Sequence, residues 1–278
     1  MLLRVVVFAS ICAFALSMYN ADPAKWNRHQ YLVKILTKDL KSELITTCSG
    51  TLLSPNVVLT SANCFPENRK NFAAQAVIVR KNSKETLNKM MLAVKLEENL
   101  ALMKIDPIRD EEFCDRPPFP SRVARLNFKP SLTDASYHPF DPKELQEMRC
   151  RIVGFATNED VDDFATSQDV QVQEMEIRAD EENLVFSEIN ANVTGRACWD
   201  DIGIPLECAV NEENNWVQVG VLHKLYGREV EESESNSTAV ACSDVRTMQF
   251  AVFGDNSLAH AIEAVDKATV FDAQDKCF

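Results

Sequence analysis

Seven short segments of alternating apolar and polar residues, each closed by a turn-like break, limit what this chain can fold into. They are "QYLVKILT" (30–37), "TLLSPNVVLT" (51–60), "FAAQAVIVR" (72–80), "CRIVGFA" (150–156), "DVQVQEMEI" (169–177), "NWVQVGVLHKL" (215–225) and "MQFAVF" (248–253). A period of two puts one side chain in a core and the next in solvent, as a half-buried strand requires. One stretch reads instead as an amphipathic helix, "NSLAHAIEAVDKA" (256–268), with Leu258, Ile262 and Val265 at helical spacing and Ser257 as its cap. Many strands with one late helix predict an all-β sandwich or barrel. The proline-bearing "DRPPFPSR" (115–122) is the expected linker between two halves.

The N-terminus sets the expected compartment. Met1 to Arg4 make a short positive start, Val5 to Leu16 an apolar run, and Ala15-Leu16-Ser17 offers small residues to a signal peptidase. The run is too short to span a bilayer as a helix, so residues 1–17 read as a secretory leader ahead of a soluble chain, 18–278. Cys12 leaves with the leader, and eight cysteines remain. An even number in an oxidising compartment predicts disulfides. A zinc site is disfavoured, because there is no CxxC pair and the four histidines (His29, His138, His223, His260) are scattered. Neither a metal nor any other cofactor is implied.

Formal charge is −13, or −14 once Arg4 is gone, so nucleic acid and anionic membranes should be repelled. Acid gathers at 159–163, 179–183 and 229–235, in runs that read as solvated loops and lack the ligand alternation of a calcium loop. Asn192-Val193-Thr194 and Asn236-Ser237-Thr238 are glycosylation sequons if the chain is secreted.

Five segments, in order, resemble the trypsin-like serine proteases. "TTCSGTLLSPNVVLTSANCF" (46–65) resembles the segment around the catalytic histidine, C-G-G-S-L-I-x-x-x-W-V-L-T-A-A-H-C. "ENLALMKID" (98–106) looks like the D-I-A-L-L-K-L strand that holds the catalytic aspartate. "CRIVGFA" is similar to C-x-I-x-G-W-G, "CWDDIGIPLEC" (198–208) to C-x-G-D-S-G-G-P-L-V-C, and "WVQVGVLHKL" to the L-V-G-I-V-S-W-G that follows. The resemblance spans nearly all of the expected mature chain. It implies two packed six-stranded antiparallel β-barrels, roughly 28–122 and 123–255, followed by the C-terminal helix 256–268. The site would lie in the crevice between them.

The same resemblance places Asn63 at the histidine position, Asn99 at the aspartate position and Ile202 at the serine position. An amide has no usable basic lone pair near neutral pH, a neutral dipole cannot balance an imidazolium, and a methyl group cannot attack a carbonyl. Asp200 stands where a glycine N–H serves the oxyanion hole, and its charge would oppose the charge to be stabilised. Gly203 keeps the next glycine, and Ile204 replaces the one after it. Arg196 matches the base of the specificity pocket. His223, Lys224 and Leu225 match its wall, with Leu225 filling a slot that glycine keeps open. The chain has 7 glycines, well below the average share of about 7%, as expected where no working cleft demands them.

The resemblance pairs Cys48 with Cys64, Cys150 with Cys208 and Cys198 with Cys242, which leaves Cys114 and Cys277 to each other. It also implies that Asp201 forms a buried ion pair with a mature N-terminus. A leader removed after Ser17 would supply the Met18 amine for that role, and Asp201 held by backbone N–H groups is the plainer alternative. The expected function is that of a secreted, non-catalytic serine protease homologue that binds an extracellular protein. A peptidase with a relocated nucleophile, using Ser49 or Ser61 with His223, is one alternative, and a passive carrier glycoprotein is another.

Overall fold

The computed structural model describes residues 18, 20–66, 71–79, 86–108, 122–129, 136–137, 140–155, 170–179, 183–190, 193, 195–210, 215–227, 242–253 and 257–278. Both sequons' asparagines, Cys114, residues 1–17, the acidic run 229–235 and nearly all of the 115–122 linker lie outside the described residues.

The fold is mostly β, as the alternation predicts. A first strand, β1 (Asp22–Ala24), is followed by six that form a closed antiparallel barrel. These are β2 (Leu32–Asp39), β3 (Ile45–Ser54), β4 (Val57–Ser61), β5 (Phe72–Val79), β6 (Thr86–Glu97) and β7 (Leu100–Ile105), in the order β2-β3-β4-β7-β6-β5. Closure pairs β2 with β5 and leaves no barrel edge. A short pair, β8 (Phe128–Lys129) and β9 (Ser136–Tyr137), lies between the halves in sequence, followed by one turn of helix, α1 (Pro142–Leu145).

The second half is an eight-stranded antiparallel sheet. It comprises β1, β10 (Cys150–Phe155), β11 (Val170–Met175), β12 (Arg178–Ala179), β13 (Leu184–Glu188), β14 (Pro205–Ala209), β15 (Trp216–Gly227) and β16 (Val245–Val252). Its order is β1-β11-β10-β14-β15-β16-β13-β12. The count exceeds six because the N-terminal β1 joins it beside β11 and the two-residue β12 is appended to β13.

Three differences from the sequence reading have local causes. The segment 51–60 is a hairpin turned at Pro55-Asn56, because Ser54 Oγ donates to Asn56 Oδ1 at 2.8 Å and proline cannot donate to a ladder. β6 escapes the alternation rule because Met90 and Leu92 are about half exposed, so its outer face is not polar. The helix, α2 (Ser257–Cys277), runs past 268 through a kink at Asp266 (φ −169°). At and beyond the kink it is held to the barrel by polar contacts as well as by the buried Val270 and Ala273. Asp266 accepts from Asn56 Nδ2 at 2.9 Å and pairs with Lys104 at 3.1 Å. The buried Gln274 accepts the Leu126 N–H at 2.9 Å and donates to the Ala124 carbonyl at 2.8 Å.

The two halves meet along β3, and backbone as well as side chains cross the seam. The Ser49 N–H donates to the Ile202 carbonyl at 2.8 Å, Ser49 Oγ to the Asp200 carbonyl at 2.9 Å, and Thr51 Oγ1 to Gln218 Oε1 at 2.9 Å. A buried chain of polar groups joins the start of β2 to the second sheet. His29 Nδ1 lies 2.8 Å from the Tyr31 hydroxyl, which donates to Glu207, and Glu207 is paired with Arg151 at 2.8 Å. Arg151 in turn lies over the Trp216 ring, 4.0 Å from its centroid. Burial holds the His29 imidazole down to about 4 and pushes the Tyr31 phenol well up. At neutral pH this network therefore carries one anion and one cation, which satisfy each other.

Disulfides join Cys48 to Cys64, Cys150 to Cys208 and Cys198 to Cys242. Cys277 is also disulfide-bonded.

Candidate functional site

The crevice between the halves is a cleft of about 240 Å³. Thr46, Thr47, Cys48 and Asn63 line its first-barrel side, and Trp199, Ile202, His223, Lys224, Leu225 and Tyr226 line the other. The fold therefore brings Asn63 and Ile202 to one place. Asn99 sits just behind, in the β6–β7 turn, where its carbonyl accepts the Ala62 N–H at 2.9 Å.

Asn63 occupies a short 3-10 turn, Ala62–Cys64, that Ser61 caps by accepting the Asn63 N–H at 3.2 Å. Its amide Nδ2 donates to the His223 carbonyl at 2.9 Å and lies 3.5 Å from His223 Nε2. His223 Nδ1 lies 3.0 Å from Ser61 Oγ. Burial, with Lys224 second, lowers the His223 pKa to about 4, so the ring is uncharged at neutral pH. The serine and histidine sought in the sequence are thus within hydrogen-bond distance, but Ser61 has no exposed surface.

Ile202 ends a second 3-10 turn, Trp199–Asp201, and presents an aliphatic side chain to the cleft, 8% exposed. Its N–H bonds the Trp199 carbonyl at 3.3 Å and closes that turn. In the triad mechanism the matching N–H is one of two oxyanion donors, so here that donor is already engaged. The adjacent Asp200 carboxyl is pushed up to about 6 by burial, with Lys34 opposing. Gly203 has φ +93°, and a Cβ there would run into the Ser49 carbonyl and the Thr60 hydroxyl, which explains why this glycine persists where its neighbour is Ile204. Arg196 Nη1 donates to the carbonyls of Ser243 (2.6 Å) and Val245 (3.3 Å), which stitches the region under Trp199 to β16. Leu225, 7% exposed, fills the wall.

Asp201 is fully buried. Its Oδ2 accepts the Met18 N–H at 2.6 Å and the Cys198 N–H at 2.8 Å, while Oδ1 has no hydrogen-bond partner among the described residues. Burial raises this carboxyl to about 8. Met18 is itself buried and packs on Gly154, where a Cβ would stand 2.8 Å from Met18 Cγ. The sequence singled out Met18, Asp201, Asn63, Ile202, His223, Lys224 and Leu225. It gave no notice of Thr46, Thr47, Trp199 or Tyr226 in the lining; an aromatic beside Cys198 at the rim was the available signal for Trp199.

No protein-family model matches the chain, and no curated protein sequence matches it. Solved structures do. HL collagenase superposes with a TM-score of 0.56 at 14% identity, over 88% of this chain and 97% of its own. The scabies mite inactivated protease paralogue S-D1 superposes with a TM-score of 0.52 at 14% identity, over 88% of this chain and 96% of its own. Both have the trypsin-like serine protease fold, and at this identity the likeness is one of fold. Among the described residues no helix is long and apolar enough to cross a membrane.

Proposed function

We propose that this chain is a secreted, non-catalytic serine protease homologue that acts by binding an extracellular protein. It would consist of a leader, 1–17, and one trypsin-like unit, 18–278, with halves near 28–122 and 123–255. The observation that carries this reading is the chemistry converging on the crevice. An amide at Asn63, an aliphatic group at Ile202 and a low-pKa imidazole beside a fully buried Ser61 stand where a base and a nucleophile would be needed. The engaged Ile202 N–H and the Asp200 carboxyl lend support, because one donor is already bonded and a carboxyl belongs to the residue that would supply the other. Disulfides and a protease-like shell fit an extracellular setting, and the likeness to an inactivated protease paralogue is in keeping with a shell kept without its reaction. Asn192 and Asn236 would carry glycans, and Cys114 would close the fourth disulfide with Cys277.

Within this reading, removal of the leader after Ser17 gives Met18 a free amine already at hydrogen-bond distance from Asp201. The Asp201 carboxylate then gains the cation it lacks in the longer chain, with no further cleavage. N-terminal sequencing of secreted protein checks the position of the cut, and a start other than Met18 removes the pair.

The 3.0 Å approach of Ser61 to His223 favours the relocated nucleophile as the second reading. Immobilised protein exposed to the surrounding extracellular fluid distinguishes the possibilities. One partner retained saturably, with a measurable Kd against purified material, supports the binding role. No saturable partner supports the carrier glycoprotein. Heat-sensitive covalent labelling by a fluorophosphonate supports the peptidase.

A further inference from the structure

The chain carries 42 acidic residues against 29 lysines and arginines, yet among the described residues no acid lines the cleft. The lysine among its described lining residues is Lys224, at an exposed position of β15. No hydrogen bond or ion pair holds Lys224 among the described residues. Its charge is near enough to the His223 ring to depress that group. An unpaired ammonium beside Trp199, Ile202, Leu225 and Tyr226 is the usual composition of a small-molecule site, an apolar body with few polar anchors. Asp200, which follows Trp199 in the chain, feels the charge of Lys34 instead.

We propose that the cleft binds a small organic anion: a carboxylate on a compact aromatic or aliphatic body. Its apolar part lies between Trp199 and Tyr226 over Ile202 and Leu225, and its carboxylate meets Lys224. Thr46 and Thr47 lie on the opposite wall. A volume of about 240 Å³ equals the liquid share of roughly eight waters, enough for about a dozen heavy atoms. Trp199 is 38% exposed and Tyr226 42%, so both rings are reachable from solvent. Burial keeps the His223 imidazole uncharged at neutral pH, so it forms a wall of the site and contributes no charge. This inference goes beyond the protein-binding role and stands whether or not a protein partner is found.

The test is calorimetric titration of the full secreted protein with three near-isosteres: cinnamate, cinnamamide and cinnamylamine. Cinnamate should bind one to one, with a Kd on the order of 1 mM or tighter for a ligand of this size. The amide and the amine should bind at least tenfold more weakly. Lys224→Ala should cost about tenfold for cinnamate and leave the amide unchanged. Leu225→Trp should fill the cleft and abolish binding, with thermal melting confirming that the variant is folded. Equal affinity for the three compounds, or indifference to Lys224→Ala, overturns the proposal. Absence of saturable cinnamate binding overturns it too. A peptide ending in phenylalanine that binds 100-fold tighter than cinnamate would reassign the site to a protein C-terminus.

Discussion

Asp201 gives the sharpest prediction, because the state of Met18 decides the sign of its contribution to stability. In a chain that continues before Met18, or is acetylated there, the Met18 N–H donates a hydrogen bond but brings no charge. Asp201 then titrates near 8, with burial the leading cause, against about 3.9 in an unfolded chain. Between those values the native state holds a proton that the unfolded state has lost, so stability must fall as pH rises. At about 1.4 kcal/mol per unit, four units give an upper bound of about 6 kcal/mol. In a chain that begins at Met18, the ammonium favours the carboxylate and brings its pKa below the unfolded value. Stability is then present above about pH 4 and lost on acidification, and it declines again once the amine deprotonates, ordinarily near 8. Urea unfolding at pH 5, 6 and 7 should therefore give midpoints that fall for the acetylated chain and hold or rise for the free-amine chain. Asp201→Asn should flatten both series. Parallel slopes in the two chains would refute the reasoning.

Three further outcomes are expected from urea or thermal unfolding. Gly203→Ala should cost about 2–5 kcal/mol, because it combines a positive φ with a clash against the Ser49 carbonyl; a cost below about 1 kcal/mol would show that the turn can move. Tyr31→Phe should cost about 1–3 kcal/mol by removing the bridge between His29 and Glu207, whereas Arg151, paired independently with Glu207, should limit the loss. Replacing Cys198 and Cys242 by serine should cost about 2–4 kcal/mol, and a change much smaller than that would mean the segment is held by its hydrogen bonds instead.

Much of this architecture is legible from residues 30 onward, because strands that bury one face must alternate. The rule fails where its physics fails. β6 exposes Met90 and Leu92, so its outer face carries no polar signal, and β14 is too short and too uniformly buried to show a period. The last turns of α2 bury Gln274 through hydrogen bonds beside Val270 and Ala273, so a polar residue interrupts the apolar stripe there. At the site, the resemblance was enough to bring Asn63, Ile202 and Leu225 together, because cysteines such as Cys48 and Cys198 fix the register of the segments that carry them. The hydrogen bond from the Asn63 amide to the His223 carbonyl was not legible, since the two residues lie 160 positions apart in the chain. The proximity of Met18 to Asp201 was legible from segment lengths, whereas the absence of any partner for Oδ1 among the described residues was not.

The most direct measurement is peptide-bond turnover by homogeneous secreted protein on a broad fluorogenic peptide library, run beside the variants Ser61→Ala and His223→Ala. The account predicts no hydrolysis above buffer in all three. Turnover that co-purifies with the chain and disappears in either variant would contradict it.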